Sequence, residues 1–460
     1  MFKPTLLAAA AALLVGCASA PQKAAAPATA YNFAADPYPS TYQRVAAPAV
    51  LLTNATVLTG TGTRLDNADV LLRDGRIVAV GTGLETTADA VRVDATGKWI
   101  TPGIIDIHSH LGVYPSPSVR AHSDGNEATA PVTANVWAEH SVWPQDPGFQ
   151  AALAGGVTSL QILPGSANLI GGRGVTLKNI PATTYQAMKF PGAPWGLKMA
   201  CGENPKRVYG QKGGPSTRMG NVAGYRAAFA DAADYMKKRK AGGKDAEAKR
   251  DLKLDTLAAA INGDIRVHIH CYRADEMATM LDLAKEYGFK IAAFHHGVEA
   301  YKLSNRLAKD GVCAALWADW WGFKMESFDG IQENIALVDR APGSCAIVHS
   351  DSEEGIQRLN QEAAKAMAAA ERAGWRIAPE HAIQWLTANP AKAMGIGDQT
   401  GTLQPGKMAD VVVWNGNPFS SYAQAEQVYI DGARLYDRRD PARQPRSDFM
   451  LGQTLQGGVK

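Results

Sequence analysis

The sequence lacks the features that identify several common protein classes. Only five cysteines occur in 460 residues, and none forms a Cys-x-x-Cys pair, so a zinc module held by cysteines is not expected. No Gly-x-Ser-x-Gly motif is present, so a serine-nucleophile hydrolase is unsupported. The net charge is only +3, and no basic block is interleaved with aromatic residues. Nucleic-acid binding is therefore not expected.

The composition is that of an ordinary globular protein. Hydrophobic residues make up 46% and charged residues 20% of the chain. A chain of this length can form a large core, as two or three domains or as one α/β barrel with additions. A run of Lys and Arg begins at Met236, but acidic residues and Gly-Gly interrupt it, which predicts a solvated helical insertion.

The first residues have the pattern of a targeting segment. Lys3 precedes an apolar stretch, residues 6–15, that is too short to span a bilayer as a helix. Residues 14–17 resemble a bacterial lipobox, in which the cysteine, here Cys17, becomes lipidated. The alternative is an ordinary signal peptide with an accidental cysteine.

We therefore predict a signal peptide over residues 1–17 and an Ala/Pro-rich flexible tether over residues 18–45. The protein would be lipid-anchored on the periplasmic side of the bacterial envelope. Ala18 and Ser19 lack the aspartate associated with inner-membrane retention, which favours the outer membrane.

The other four cysteines each lie in an apolar run, which predicts buried free thiols; they are Cys201, Cys271, Cys313 and Cys345. An oxidising compartment would permit a disulfide. The sequence does not determine which of these cysteines would form a disulfide.

Short β patterns occur near both ends of the chain. Two β runs flank Asp74-Gly75, which is a good hairpin signal, and similar runs occur between residues 401 and 432. We predict a small β-sandwich domain formed by residues 46–101 together with residues 399–440, followed by a tail over residues 441–460.

The middle of the chain, residues 102–398, alternates short apolar runs with helical patterns. This alternation predicts βα units and a parallel sheet. The candidate strands are Ile104–His108, Val157–Leu163, Gly174–Leu177, Leu197–Cys201, Ile265–His270, Ile291–His295, Val312–Trp317 and Ala346–His349. Eight strands are the number that a (β/α)8 TIM-like barrel requires, and barrel active sites lie at the carboxyl ends of the strands.

Several of these strands end in residues that bind metals. His108 and His110, at the end of the first strand, point the same way because strand side chains alternate with period two. Further candidates follow the fourth, fifth, sixth and eighth strands; they are Glu203, His270, His295, His296 and Asp351. A single strand that ends in histidine is uninformative, but this recurrence predicts a metal site.

With these motifs the chain resembles the amidohydrolase superfamily of metal-dependent hydrolases. The resemblance rests on the PGxxDxHxH pattern of residues 102–110 and on the tail segments Asn389–Ala391 and Gly401–Val413. It looks closest to the imidazolonepropionase-like bacterial amidohydrolases, through residues 202–206, 270–273 and 350–352. The resemblance implies a (β/α)8 barrel with a β-sandwich built from both termini.

The resemblance also implies roles for individual residues. His108 and His110 match the first-strand metal ligands, and His270 matches the fifth-strand ligand. His268 would lie one layer deeper, as a core histidine. Because His295 and His296 should point to opposite faces, only one would reach the metal, and His296 fits the family position better. Asp351 would bind metal and accept a proton from the attacking water.

The fourth strand leaves two candidates open. Glu203 lies at the predicted strand end and is our predicted bridging ligand. Many relatives instead use a carboxylated lysine, for which Lys198 is the candidate. If neither residue reaches the site, it would hold a single ion.

The resemblance implies hydrolysis of an amide, peptide or cyclic amide C–N bond by a metal-activated hydroxide, with Asp351 as general base. One or two divalent ions would be bound, with Zn expected and Mn or Fe compatible with the same ligands. Such an ion lowers the pKa of bound water from about 16 toward 7.

The substrate would be a small molecule. Tyr272 and Arg273 follow His270 directly and could hold an anionic group, although Arg273 could equally form a structural ion pair with Asp275 or Glu276. Three tryptophans in the loop after the seventh strand could form an aromatic wall of the site or could pack against the rest of the fold; they are Trp317, Trp320 and Trp321.

Two alternatives stay open. A heterocycle deaminase could use the same ligands, and ammonia release with ring retention would distinguish it. A non-catalytic envelope lipoprotein could retain the barrel for binding, in which case the purified protein would hold no metal. The sequence is silent on oligomeric state.

Overall fold

The computed structural model describes residue 1 and residues 31–444, except residues 87, 117, 242–248 and 321. The predicted signal peptide, Cys17, most of the predicted tether and the predicted tail after residue 444 lie outside the described residues. Contacts divide the chain at Asn32, and both sheets belong to the unit that begins at Phe33. In the described part of the chain, no helix combines the length and apolar character that crossing a membrane requires.

The strands, in chain order, are β1 Val50–Leu58, β2 Arg64–Arg73, β3 Arg76–Gly81, β4 Val91–Asp94, β5 Trp99–Pro102, β6 Ile104–Ser109, β7 Val157–Ile162, β8 Ile170–Lys178, β9 Gly196–Ala200, β10 Arg266–Cys271, β11 Ile291–His296, β12 Cys313–Leu316, β13 Ala346–Val348, β14 Val411–Trp414, β15 Ala425–Ile430 and β16 Ala433–Asp437.

The α-helices are α1 Pro147–Ala154, α2 Tyr185–Met188, α3 Glu203–Tyr209, α4 Arg218–Ala241, α5 Leu252–Asn262, α6 Ala274–Tyr287, α7 Ser304–Asp310, α8 Asn334–Asp339, α9 Leu359–Arg372, α10 Pro379–Ala382 and α11 Ala388–Met394. Short 3-10 helices span Arg120–His122, Ala138–Ser141, Ala300–Leu303, Met325–Ser327, Gly355–Arg358, Ile383–Leu386 and Pro441–Arg443.

One sheet of eight strands is built from the two ends of the chain. Its order is β16-β15-β14-β5-β1-β2-β3, with β4 paired to β1. The predicted hairpin is present: β2 and β3 pair antiparallel, and Asp74 and Gly75 between them have φ angles of 51° and 76°, as a two-residue turn with both residues at positive φ requires. We call this the end sheet. A two-layer sandwich and the domain boundaries stay predictions.

A second sheet of eight strands forms a nearly closed barrel with the order β13-β12-β11-β10-β9-β8-β7-β6. The predicted strand positions agree with it, but β8 pairs antiparallel with both β7 and β9. The expectation of eight parallel strands is therefore wrong at β8. Only residues 163–169 separate β7 from β8, and a parallel return requires a crossover of a dozen or more residues.

A backbone hydrogen bond bridges the gap between the first and last barrel strands. The backbone N–H of Asp351, after β13, donates to the carbonyl oxygen of His108 on β6 at 3.0 Å. The barrel therefore brings the predicted first-strand and eighth-strand ligands together.

The four cysteines of the described chain form two disulfides, Cys201–Cys271 and Cys313–Cys345. The prediction of free thiols is wrong, because each pair joins neighbouring barrel strands at the same level. The first joins the exits of β9 and β10, with Cα atoms 5.2 Å apart. The second joins the entry of β12 to the residue before β13.

Candidate metal centre

The predicted first-strand pair and the eighth-strand carboxylate converge at one end of the barrel. The Nε2 atoms of His108 and His110 each lie 3.2 Å from Oδ1 of Asp351, and they are 3.3 Å from each other. Three potential ligand atoms within 4.8 Å of one another make a compact group, and imidazole and carboxylate are suitable ligands for a divalent transition metal.

A second group shares His108 and adds His296 and His349, again with ligand atoms within 4.8 Å of one another. Nε2 of His349 lies 2.9 Å from Nδ1 of His296. The sequence prediction missed His349. The signal was present, because His349 precedes Asp351 by two residues, the same spacing that pairs His108 with His110.

His270 has buried ring nitrogens that lack a bonding partner. Its side chain is buried at the end of β10, and both of its ring nitrogens lack a hydrogen-bond partner in the described structure. Its ring centroid is 4.7 Å from that of His296. A buried polar atom without a partner is costly, and a metal ion would satisfy such a nitrogen. The residues present therefore fit a metal.

Both histidines at the end of β11 reach the interior. Nδ1 of His295 lies 2.9 Å from Nδ1 of His108, while His296 lies beside His349. Strand alternation predicts opposite faces for the two side chains, and His296 escapes it because its φ angle of 71° takes it out of the extended conformation. Of the two, His296 belongs to a ligand group found among the described residues and His295 does not. Asp351 also has a positive φ, 58°. Backbone strain of this kind is concentrated at functional sites.

His268 lies one layer deeper in the barrel, as predicted for a core histidine. It is fully buried, and its Nδ1 is 2.9 Å from Nε2 of His295.

The structure places the two fourth-strand candidates differently. Glu203 begins α3, and its carboxylate lies 3.8 Å from Nζ of Lys324; it belongs to neither ligand group found among the described residues. Lys198 on β9 is fully buried, and its Nζ lies 3.4 Å from Nε2 of His108 and 3.0 Å from the carbonyl oxygen of Pro164. The residue beside the histidines is thus Lys198.

Burial shifts the pKa values of the ionisable groups in this region so that the uncharged forms are favoured. It holds the pKa values of His108, His270 and His296 well below the usual range and lowers that of His349 to about 4. Neutral imidazole is the form that binds metals. Burial also lowers the pKa of Lys198 to about 8.

Asp106, which the prediction did not assign a role, connects β6 to the end of β13. Burial raises its pKa to about 7, against the opposing effect of the Ser350 hydroxyl that donates to it. Its Oδ1 also accepts the backbone N–H groups of His108 at 3.2 Å and Ser350 at 3.3 Å. Asp106 therefore holds together the two segments that carry the ligands.

The two predicted substrate contacts differ in position. Tyr272 is buried, with its ring centroid 4.6 Å from that of His270. Arg273 makes two hydrogen bonds to Asp275, at 2.9 and 3.1 Å, so the structural ion pair that the sequence left open is the one observed.

Aromatic residues after β12 line one side of the site. Trp317 stacks on His296 with ring centroids 4.2 Å apart and an interplanar angle of 26°. Trp320 lies 5.1 Å and Phe323 5.8 Å from Trp317. We call Trp317, Trp320 and Phe323 the aromatic rim; Trp321 lies outside the described residues.

Comparison with known proteins identifies a family and several similar proteins. A family model described as "Amidohydrolase family" matches residues 99–435. "Amidohydrolase tasK" of Hapsidospora irregularis is 34% identical over 400 residues, which are 80% of this chain but only 40% of that protein. An imidazolonepropionase of Mesorhizobium japonicum is 25% identical over 400 residues, 81% of this chain and 92% of that one.

A solved structure is also similar. An amidohydrolase from Thermotoga maritima MSB8 has a TM-score of 0.78 and 38% sequence identity, and the match covers 85% of this chain and 100% of that one.

Proposed function

The chain belongs to the amidohydrolase family, whose members are hydrolases that act on carbon–nitrogen bonds, and we propose that it hydrolyses an amide, peptide or cyclic amide with the help of bound divalent metal. The convergence of His108, His110 and Asp351 at one end of the barrel carries this proposal. The distant similarity to an imidazolonepropionase makes cyclic amides one of the substrate classes to test.

The ligands would divide into two sets. His108, His110 and Asp351 would hold one ion. His296 and His349, which form the second group with His108, would hold a second ion together with His270, whose ring centroid lies 4.7 Å from that of His296. When bound, such an ion activates water and polarises the scissile carbonyl. Zn is the expected metal, and Mn or Fe suits the same ligands.

Asp351 would move the proton. Its side chain is partly exposed, and Oδ1 lies 3.2 Å from both first-strand imidazoles. It can therefore accept a proton from the attacking water and transfer that proton to the leaving nitrogen. The hydrogen bond from its own backbone N–H to His108 fixes the carboxylate at this place.

Lys198, rather than Glu203, would serve as the fourth-strand ligand. An ammonium buried beside an imidazole is unfavourable, and its lowered pKa makes the neutral amine available. The neutral Nζ can bond to the carbon of CO2 and release one proton to solvent. The carbamate that results would put a carboxylate beside His108. The check is zinc content with and without bicarbonate, which should differ in the parent and not in Lys198→Met.

On the substrate side, the aromatic rim favours a substrate with an apolar group next to the scissile bond. Trp320 and Phe323 are 40% and 57% exposed, which is more than core packing gives a large apolar side chain. Trp320→Ala should therefore raise KM for a phenylalanine-containing amide more than for its glycine counterpart.

We also propose that the protein is lipid-anchored through Cys17 on the periplasmic side of the outer membrane. The lipobox-like residues 14–17 support this, and so do two disulfides, which persist in oxidising compartments. The test is detergent-phase partitioning of the parent and of Cys17→Ser; equal partitioning of the two proteins would contradict the proposal.

The test of the reaction uses protein without residues 1–17, loaded with Zn and incubated with dipeptides, N-acyl amino acids and cyclic amides. Asp351→Asn is the inactive variant. Glu354→Gln is the matched control, because it removes an exposed carboxylate from the same loop. Ammonia release with an intact ring would favour the deaminase alternative. A metal-loaded protein that cleaves no C–N bond would contradict the proposal and favour the non-catalytic lipoprotein.

A further inference from the structure

Behind the metal centre, three buried histidines form a hydrogen-bonded row. His108 presents Nε2 to Asp351 at 3.2 Å, and its other nitrogen, Nδ1, lies 2.9 Å from Nδ1 of His295. Nε2 of His295 lies in turn 2.9 Å from Nδ1 of His268. All three side chains are fully buried. The row therefore leads from the ligand side of His108 into the interior of the barrel.

The number of protons on the three rings limits the directions that the two hydrogen bonds of this row can take. In each nitrogen–nitrogen contact one atom must donate and the other accept, and a neutral imidazole carries a single N–H. A cationic ring at His268 or His295 would be buried among other imidazoles, without a carboxylate in hydrogen-bond contact, which is costly. With one proton on each ring, fixing the proton of one histidine fixes the direction of both hydrogen bonds.

Two directions are possible. In the first, Nδ1–H of His268 donates to His295, and Nδ1–H of His295 donates to His108. His108 then carries its proton on Nε2, where Asp351 accepts it. In the second, Nδ1–H of His108 donates to His295, and Nε2–H of His295 donates to His268. His268 then carries its proton on Nε2.

The second direction needs an acceptor at the inner end of the row, and the barrel offers one. Nε2 of His268 and both amide atoms of Gln161 on β7 lack hydrogen-bond partners in the described structure. Both side chains lie close to Gly196: a Cβ built there would be 2.9 Å from Nε2 of Gln161 and 3.1 Å from Cδ2 of His268. The Gln161 amide, or a water held by it, can accept the proton of His268.

We propose that metal binding at Nε2 of His108 reverses this row, and that His295 and His268 are positioning residues for that ligand. An imidazole that binds metal through Nε2 carries its proton on Nδ1, which is the second direction. On reversal, His108 releases its Nε2 proton to solvent past Asp351, and each inner ring passes its Nδ1 proton to the next ring outward. His268 takes one proton from water on Nε2, so that every ring keeps one proton. This inference rests on the metal-binding role proposed for His108.

The direct test is nitrogen NMR of the full chain with ¹⁵N-labelled histidine, before and after addition of Zn²⁺. The His268 signals are assigned by their loss in His268→Gln. We expect the protonated nitrogen of His268 to change from Nδ1 to Nε2 when zinc binds. Zinc binding with an unchanged His268 tautomer would overturn the row but leave the proposed function intact. Failure to bind zinc at all would overturn both.

A matched pair of variants tests the positioning role. In His268→Gln the side-chain oxygen can still accept from Nε2–H of His295, whereas His268→Leu offers no acceptor. We expect the zinc Kd to weaken by about 10–100-fold in His268→Leu and to stay close to the parent value in His268→Gln. Equal zinc affinities in the two variants would overturn the positioning role. If His268→Leu does not fold, the NMR measurement on the parent still decides.

Discussion

Two regions of this molecule bury polar groups, and they do so in opposite ways. The first is the metal centre, which we define as the two ligand groups together with His270; its residues are His108, His110, His270, His296, His349 and Asp351. The second is the junction between barrel and end sheet, which we define as Lys178, Asp410, Asp431, Tyr42 and Thr400. In the junction, Nζ of Lys178 lies 2.8 Å from Asp431 and 3.3 Å from Asp410. The Thr400 hydroxyl donates to Asp410 at 2.7 Å, and the Tyr42 hydroxyl donates to Asp431.

At the metal centre, by contrast, several buried ring nitrogens lack a hydrogen-bond partner in the described structure. Both ring nitrogens of His270 and Nδ1 of His349 have no partner in the described structure, and the backbones of His296 and Asp351 are held at positive φ. The junction thus provides hydrogen-bond or ion-pair partners for its own buried polar groups. The metal centre leaves nitrogen atoms that a bound metal ion could satisfy.

The largest effect should separate activity from stability. Asp351→Asn removes the proposed proton acceptor, so we expect kcat/KM to fall by about 10²–10⁴-fold, with little change in the Tm of the metal-free protein. Hydrolysis rates and thermal melts of Asp351→Asn and Glu354→Gln check this. A substantial loss of Tm with preserved activity would place Asp351 with the structural residues instead.

The junction should behave in the reverse manner. Lys178→Met leaves Asp410 and Asp431 buried without their cation, which should cost about 3–5 kcal/mol in the free energy of unfolding. Denaturant unfolding measures this loss, and kcat/KM per folded molecule should match that of the parent. Unchanged stability would mean that the junction charges are less well buried than the structure has them.

Metal removal should affect the two regions unequally. A ligand present at 100 times its Kd stabilises the folded state by about 2.7 kcal/mol, so a chelator should lower the Tm of the parent. His110→Ala should show a smaller response to the chelator, whereas Lys178→Met should show the full response from its lower starting Tm. Equal responses in all three proteins would show that the chelated ion binds elsewhere.

The smallest effect is expected at an ion pair outside both regions. Nε2 of the half-exposed His381 lies 2.8 Å from Asp339, and the hydrogen bond to that carboxylate raises the pKa of His381 above its usual value. Its stabilising contribution is therefore complete below the usual histidine pKa of about 6.5 and is lost as the pH rises through the raised value.

Solvent screening limits this contribution to at most about 1 kcal/mol. The stability difference between the parent and His381→Gln should accordingly shrink from pH 6 to pH 8.5. A difference that grows with pH would contradict the sign of the shift.

Much of this arrangement could be predicted from the sequence, because strand ends carry local signals. Period-two spacing paired His108 with His110, and the eighth apolar run placed Asp351 just after the last barrel strand. The same rule failed at His296, where a positive φ breaks the alternation. Residue type alone could not decide between Glu203 and Lys198, since the choice depends on which side chain the barrel directs inward.

Long-range features were the hardest to predict. The disulfide pairs follow from which strands become neighbours, and the direction of β8 follows from the short connection that precedes it, residues 163–169. The hydrogen-bonded row of His108, His295 and His268 depends on the interior layering of three strands, which no local pattern specifies.

The most direct test of the account is the zinc content per chain of protein without residues 1–17, with His270→Ala and Glu203→Ala as comparisons. We predict about two zinc ions per chain in the parent when bicarbonate is present, as a site with two metal ions requires. About one should remain in His270→Ala, while Glu203→Ala should match the parent. A parent protein that holds no zinc, even after zinc is added back, would contradict the account.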